Sequence, residues 1–403
     1  MSSFWAIVDV SLLMLTILVS SDSLIRLGPV QSLVWALCYG LLLLRAGTLA
    51  TIFVPVVLRN TAMFAYPAAC IVSVLWSVSP LTSLVSAIQL LMTVLIATYL
   101  GWRYSLAALT KAVFIVLTFA IILSLLHWAT HVFPWEVYSY AGGLVGVFSQ
   151  KNMLGQRCLF ALIVIMAIWL LPRSQVTGRF RLAALMALVL VLLALALSKS
   201  ITTVLLAPAL LGLFALICVQ YIPPLVVALL AGATILSFAL GPVLLSAAGI
   251  EPIEAILTAV GKDATLTGRT VLWQIAAGVW GQNMPMGIGY GAFWKSAAFV
   301  NERLITESYG ENILGFHNFV LEILVGTGLA GIAAMFLLIG TAAFRLLWVF
   351  RTRSSIGAAC GLVLLVGALT ASMLGPSLYR GHEFMLILIV MYAVSAGEEA
   401  RGG

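Results

Sequence analysis

Charge is scarce in this sequence. Asp, Glu, Lys and Arg make up 8% of its 403 residues, whereas hydrophobic residues make up 63%. That charged fraction is roughly a third of the value typical of soluble globular domains, which excludes water as the main solvent of the folded chain. Histidine is rarer still, with four residues, and the five cysteines Cys38, Cys70, Cys158, Cys218 and Cys360 all fall inside apolar runs. Cysteines so placed behave as small hydrophobes, which excludes a disulfide framework and a cysteine metal site. Segments of about ten residues alternating polar and apolar are missing, and with them the signature of a membrane β-barrel. No basic stripe accompanies the formal charge of +7, so nucleic acid is excluded as a partner.

What the sequence does have is apolar runs of about 17–25 residues, each long enough to cross a hydrocarbon core as a helix. The expected fold class is therefore all-α, a polytopic membrane protein of about twelve transmembrane helices in contact with the lipid bilayer. The runs fall at 4–20, 30–45, 61–76, 82–100, 110–130, 153–171, 181–197, 201–219, 222–245, 317–344, 356–375 and 382–396. Thr48–Leu58 is also apolar, so the boundaries between 46 and 80 are the least defined. The stretch Phe4–Ser20 lacks the charged start of a cleaved signal peptide and reads as a retained first helix.

Basic residues set the orientation. With the N-terminus inside, eleven of the twenty lie on cytoplasmic connections: Arg45, Arg59, Arg103, Lys111, Arg173, Arg179, Arg181, Arg345, Arg351, Arg353 and Arg401. Five, namely Arg26, Lys151, Arg157, Lys199 and Arg380, lie on the short connections of the opposite side. The bias favours an N-in, C-in, multi-pass topology. Residues 246–316 interrupt the pattern with six acids, four bases and several glycines, and read as one long extracytoplasmic loop. The chain thus divides into helices one to nine over 1–245, the loop over 246–316, and helices ten to twelve with a short tail over 317–403. A loop of this length in a compact membrane protein is more often functional than a connector.

Ionisable groups near membrane depth are expensive, so each is a functional candidate. On this topology Lys151, Arg157, Lys199, Arg269, His317, Glu322 and Arg380 gather at the outer surface. The set is cationic, with one histidine and no carboxylate cluster. It suits the transfer of a sugar from a lipid pyrophosphate to a hydroxyl of another glycan. Arg and Lys neutralise the leaving pyrophosphate, and a histidine with a reference pKa of about 6.5 can take the hydroxyl proton. His317 opens the tenth helix, whose positive dipole end favours a neutral imidazole and an approaching phosphate. Capping or interface duty is the alternative for a histidine so placed.

The segment from His317-Asn318-Phe319 to Thr327-Gly328-Leu329-Ala330-Gly331 resembles the signature of the O-antigen ligase and Wzy-type polymerase superfamily. There a histidine and a polar residue precede nine residues and then a Gly-x-x-Gly. Gly268-Arg269 with Trp273, the run Pro285-Met286-Gly287-Ile288-Gly289-Tyr290-Gly291-Ala292-Phe293, and Phe148-Ser149-Gln150-Lys151-Asn152-Met153-Leu154-Gly155 agree with it. The last is similar to a Lys-Asn-x-x-Gly element of ExoQ-type exopolysaccharide polymerases.

The resemblance implies a metal-independent, inverting, C-type glycosyltransferase without a cofactor, acting on undecaprenyl-pyrophosphate-linked glycan at the periplasmic face of the bacterial inner membrane. It makes His317 the base and Arg269 a pyrophosphate ligand. Lys199, in Ser198-Lys199-Ser200, stands where Ser-Arg is common, and the change loses the bidentate fork. Trp273, where ligases often carry leucine, favours polymerisation, with a chain-length regulator as a possible partner. Ligation to lipid A-core or protein would use the same residues.

Other candidates carry a plainer alternative. Lys151 and Arg157 would bind pyrophosphate or snorkel as anchors. Glu322, one turn below Asn318, would orient the site or merely satisfy it. Arg380 and His382 read as interfacial anchors, and His127 and His131 as packed interface residues. Glu251, Glu254 and Asp263 read as solvated loop charge, and the glycine run 287–291 as a turn bringing backbone close to membrane or substrate. A transporter or lipid-linked-glycan flippase would show paired repeats and broken helices with midplane charges, and neither is evident in the sequence.

Overall fold

The computed structural model describes residues 3–139, 142–218, 226, 229–237, 266–307, 315–373 and 378–402. Among these residues there are helices and no strands, the nearest thing to a sheet being a single antiparallel bridge between Tyr138 and Leu144. The helices are α1 (Ser3–Ser20), α2 (Pro29–Thr48), α3 (Ala50–Arg59), α4 (Thr61–Trp76), α5 (Pro80–Arg103), α6 (Leu106–Thr130), α7 (Lys151–Leu170), α8 (Gly178–Ser198) and α9 (Ile201–Cys218). Further along the chain come α10 (Leu266–Gln282), α11 (Phe319–Arg353), α12 (Ile356–Ser372) and α13 (Phe384–Arg401), with short helices at Ala292–Lys295 and Val300–Glu307 between α10 and α11. Among the described residues seven helices are long and apolar enough to cross a membrane, or eight if α3 and α4 form one bent span. The protein is an all-α polytopic membrane protein.

Local chemistry explains the starts. Ser105, Thr177 and Ser355 cap α6, α8 and α12, each accepting the N–H of the residue three positions on, which satisfies one of the donors a helix start leaves free. α13 is the innermost helix. It is buried from Phe384 to Gly397 and packs on α5, α11 and α12, which accounts for a helix apolar on every side.

Two helices are broken, contrary to the expectation of uninterrupted spans. α3 and α4 meet at 78°. The fully buried Asn60 sits at the corner, its side chain donating to the Val56 carbonyl at 2.7 Å and accepting from Arg345. The single span expected over 61–76 is therefore the second limb of a bent pair. α11 departs from helical geometry at Gly328, with φ 62° and ψ −153°. It also runs on to Arg353, so Arg345, Arg351 and Arg353 belong to the helix and not to a loop.

Charge is sorted to the two ends of the bundle. At the end where α1 begins, Asp9 takes Arg45 Nε at 2.7 Å, Arg103 Nη2 at 2.9 Å and the Tyr99 hydroxyl at 2.6 Å. Asn60, Arg345, Glu398 and Arg401 lie at the same end. Asp22, Lys151, Arg157, Lys199, His317, Glu322 and Arg380 all lie toward the opposite end, at helix starts or in the turns between helices.

Candidate functional site

The site is built around the start of α11. Asn318 is its N-cap, its Oδ1 accepting the N–H groups of Val320 at 3.0 Å and Leu321 at 3.3 Å. Asn318 is therefore a structural cap, and the helix axis begins immediately after His317. His317 is half-buried and takes a left-handed φ of 53°, a conformation uncommon for a residue with a side chain.

What holds it there is the peptide unit before it. Phe316 donates its N–H to Glu322 Oε1 at 2.5 Å, and its carbonyl accepts the Trp273 indole N–H at 3.0 Å. Glu322 Oε2 accepts the Trp294 indole N–H at 3.1 Å. Glu322 is 6% exposed, so it does more than fill space: it fastens the segment before His317 and the loop bearing Trp294 to one helix. Arg269 lies four residues before Trp273 on α10, so its backbone sits one turn, about 6 Å along the axis, from the indole that touches Phe316.

The break at Gly328 belongs to the same construction. The loop 285–289 runs along the gap, with Ile288 N–H donating to Val325 O at 2.8 Å, Gly289 N–H to Gly326 O at 2.9 Å, and Leu329 N–H to Pro285 O at 2.9 Å. A Cβ on Gly328 would lie 1.9 Å from the Pro285 carbonyl oxygen. One on Gly289 would lie 2.1 Å from Ser77 Oγ. The glycine run thus brings backbone close to α11 and to the segment before α5, and Gly289 and Gly291 also line the cavity beside it. Two carbonyls at the break, Val325 and Gly326, and the Leu329 N–H are thus taken up by this loop, as backbone freed within a membrane helix requires.

Between this loop, α5, α11 and the turn before α13 lies a cavity of about 230 Å³. Trp294, Lys295, Glu322, Tyr379 and Arg380 line it, together with Ser86, whose buried hydroxyl finds no partner among the described residues. Arg380 is 42% exposed on its side chain and 3.8 Å from Glu383. It lines a cavity, where the sequence reading favoured an interfacial anchor. Burial pushes the Glu383 carboxyl up to about 7, against the pull of Arg380. Lys295, Trp294, Tyr379 and Ser86 were missed as candidates. The only signal in the sequence was the place of Trp294 and Lys295 directly after the glycine run.

The remaining candidates form a second group on the same end. Lys151 and Lys199 flank one turn: Lys151 Cδ lies beside Gly143, and Lys199 Nζ beside Gly142. Asn152 accepts the Ser200 hydroxyl at 3.2 Å, and Gly155 faces Ser200 and Thr203 at a distance that leaves no room for a Cβ. The Lys-Asn-x-x-Gly element is therefore a seat for the Ser198-Lys199-Ser200 corner. Arg157 is fully enclosed, donating to Ser21 O at 2.9 Å and facing Asp22 at 3.4 Å and the Phe384 ring at 4.6 Å. It neither snorkels nor lines the cavity.

His382 stacks on Trp35 at 4.1 Å and pairs with the Tyr39 hydroxyl. His127 is buried, accepting from Phe133 N–H through Nδ1 at 3.3 Å and facing the Trp135 carbonyl at 3.1 Å through Nε2. Both are packed residues. The side chain of Arg269, and the acids Glu251, Glu254 and Asp263, lie outside the described residues.

The family model described as O-antigen ligase matches residues 186–336, which take in Lys199, Arg269, His317 and the Gly328 break. The exopolysaccharide production protein ExoQ of Rhizobium meliloti (strain 1021) is 31% identical over 287 residues, covering 70% of this chain and 64% of that protein. The chain belongs to the O-antigen ligase superfamily. It spans a little under two thirds of the ExoQ protein it matches. As a member of this superfamily it is a multi-helix membrane protein of the O-antigen ligase and ExoQ type. Most of the geometry around His317 falls inside the matched segment, while Tyr379 and Arg380 lie beyond it.

Proposed function

We propose that this member of the O-antigen ligase superfamily is an inverting glycosyltransferase. It polymerises oligosaccharide repeat units carried on undecaprenyl pyrophosphate, at the periplasmic face of the bacterial inner membrane. The observation that carries the reading is the cavity where Lys295 and Arg380 meet Trp294 and Tyr379; its lining residue Glu322 fastens the Phe316 peptide before His317 from one side, and Trp273, one turn from Arg269 on α10, fastens it from the other.

In this reading His317 takes the proton of an acceptor hydroxyl as that oxygen forms a bond to the anomeric carbon. The bond from that carbon to the carrier pyrophosphate breaks, its electron pair leaves with the phosphate oxygen, and the configuration inverts. Arg269, Arg380 and Lys295 spread the developing negative charge, with Lys199 and Lys151 farther along the same face. Trp294 and Tyr379 offer aromatic walls to sugar rings. The cations do what a divalent ion does elsewhere, so activity of reconstituted enzyme survives EDTA, and loss restored by Mg²⁺ overturns the metal-free mechanism.

Ligation of finished glycan to lipid A-core or protein is the second reading, favoured by the description of the matching family. A deletion strain separates the two. Accumulated single repeat units on the carrier mean a polymerase, and full-length polymer stranded on the carrier means a ligase. A His317→Ala protein that is abundant, membrane-inserted and still supports normal polymer removes the base assignment.

A further inference from the structure

At the opposite end of the bundle, where α7 ends and α8 begins, the turn between them walls a hollow of about 520 Å³. It is lined by Arg173 and Arg181 and by no acid. Arg181 donates through Nη2 to the Leu171 carbonyl at 2.5 Å, but its Nε is buried without a partner among the described residues. Arg173 is exposed, with no bonded partner among the described residues. An unpaired cation and a half-satisfied one sharing a hollow without counter-charge make a place built for an anion. The first turn of α8, with Thr177 and Gly178 in the wall, adds its positive end to the same field.

The other wall is apolar and points away from the bundle. Trp169 is 44% exposed, Leu182 58% and Leu185 45%, and they continue from the hollow along the outer surfaces of α7 and α8. A ligand that fits both walls has an anionic head and a hydrocarbon body. Trp169 also stands at the helix end, the level at which tryptophan meets lipid head groups.

We infer that this hollow seats the phosphate head of an anionic phospholipid, whose acyl chains lie along Trp169, Leu182 and Leu185. The site is separate from the cavity at Trp294 and Arg380 and does not depend on the reaction proposed there. It tethers the turn between α7 and α8, and α8 ends at Lys199 on the other side.

Native mass spectrometry of the full-length protein in detergent tests this, with phosphatidylglycerol or phosphatidylcholine of the same acyl chains added. Phosphatidylglycerol is retained about tenfold better than phosphatidylcholine, because two arginines favour a head of net negative charge over one whose phosphate is already balanced by choline. Arg173→Ala with Arg181→Ala abolishes that preference. Arg173→Glu alone, at an exposed position that packing does not need, reverses it. Equal retention of the two lipids, or an unchanged preference in Arg173→Glu, overturns the inference. Displacement of the lipid by an equal concentration of glycerol 3-phosphate assigns the hollow to a soluble phosphate instead and overturns it as well.

Discussion

A carboxylate that accepts two N–H bonds while 6% exposed, as Glu322 does, is hard to replace even by its amide. Gln offers one acceptor oxygen and turns an NH₂ toward the other donor. One of the Phe316 and Trp294 groups is then left unpaired, at about 1–3 kcal/mol. Glu322→Gln should therefore lower Tm in detergent and reduce polymer formation, with Glu322→Asp also impaired because the shorter arm cannot span both donors. Wild-type activity and Tm in Glu322→Gln would show that the carboxylate is incidental to His317. Arg269→Ala should cost about a hundredfold or more in turnover, the scale of a lost transition-state donor. Arg269→Lys should recover part of it, since a point charge does not reproduce the fork. Full recovery in Arg269→Lys would argue against bidentate phosphate binding. His317 and Arg269 could be named as candidates from the sequence because each sits in a spaced motif. Trp294, Lys295, Tyr379 and Ser86 could not be, since they come from three separate segments and acquire a shared purpose only when those segments meet.

Among the elements, α11 is the one whose sequence says least about its shape. Its composition is that of an ordinary membrane helix, and hydropathy has no means of registering a break whose partners lie about forty residues upstream, in the loop 285–289. Gly328→Ala meets the Pro285 oxygen at 1.9 Å and also forces alanine to a φ of 62°. It should cost more than about 3 kcal/mol and leave little folded protein on size exclusion. Gly340→Ala, in the same helix but facing open space, should be neutral or slightly stabilising, by up to about 1 kcal/mol. Similar behaviour of the two variants would mean that the 285–289 loop does not hold the break. The spans themselves were readable because an apolar run of membrane length has few other fates. The corner at Asn60 was not, because nothing nearby in sequence announces that Arg345 will complete it.

At the scale of the whole molecule, charge at the two ends of a bundle with an apolar middle implies a fixed sidedness. Lys295→Cys should react with an impermeant thiol reagent on spheroplasts, and Arg179→Cys only after the membrane is opened. The reverse pattern would place the cavity in the cytosol and end the glycosyltransferase reading. The native cysteines are buried, or nearly so for Cys218, and add little background. At the other end, Asp9→Asn would leave Arg45 and Arg103 without their shared counter-ion, at about 3–5 kcal/mol. The check is a fall in Tm and in membrane yield, and an unchanged Tm would show the triad to be ornamental. The all-α membrane class could be read from composition alone. The crossing of α13 through the centre could not, since its sequence differs little from that of helices facing lipid.

One consequence reaches beyond this chain. The cavity's rear wall is stitched together by main-chain amides and carbonyls of 285–289 and 325–329, and such stitches are blind to which side chains they carry. On the proposed function, the glycan that is recognised can therefore change through Lys295 and Tyr379 at the rim while this backbone scaffold is inherited intact.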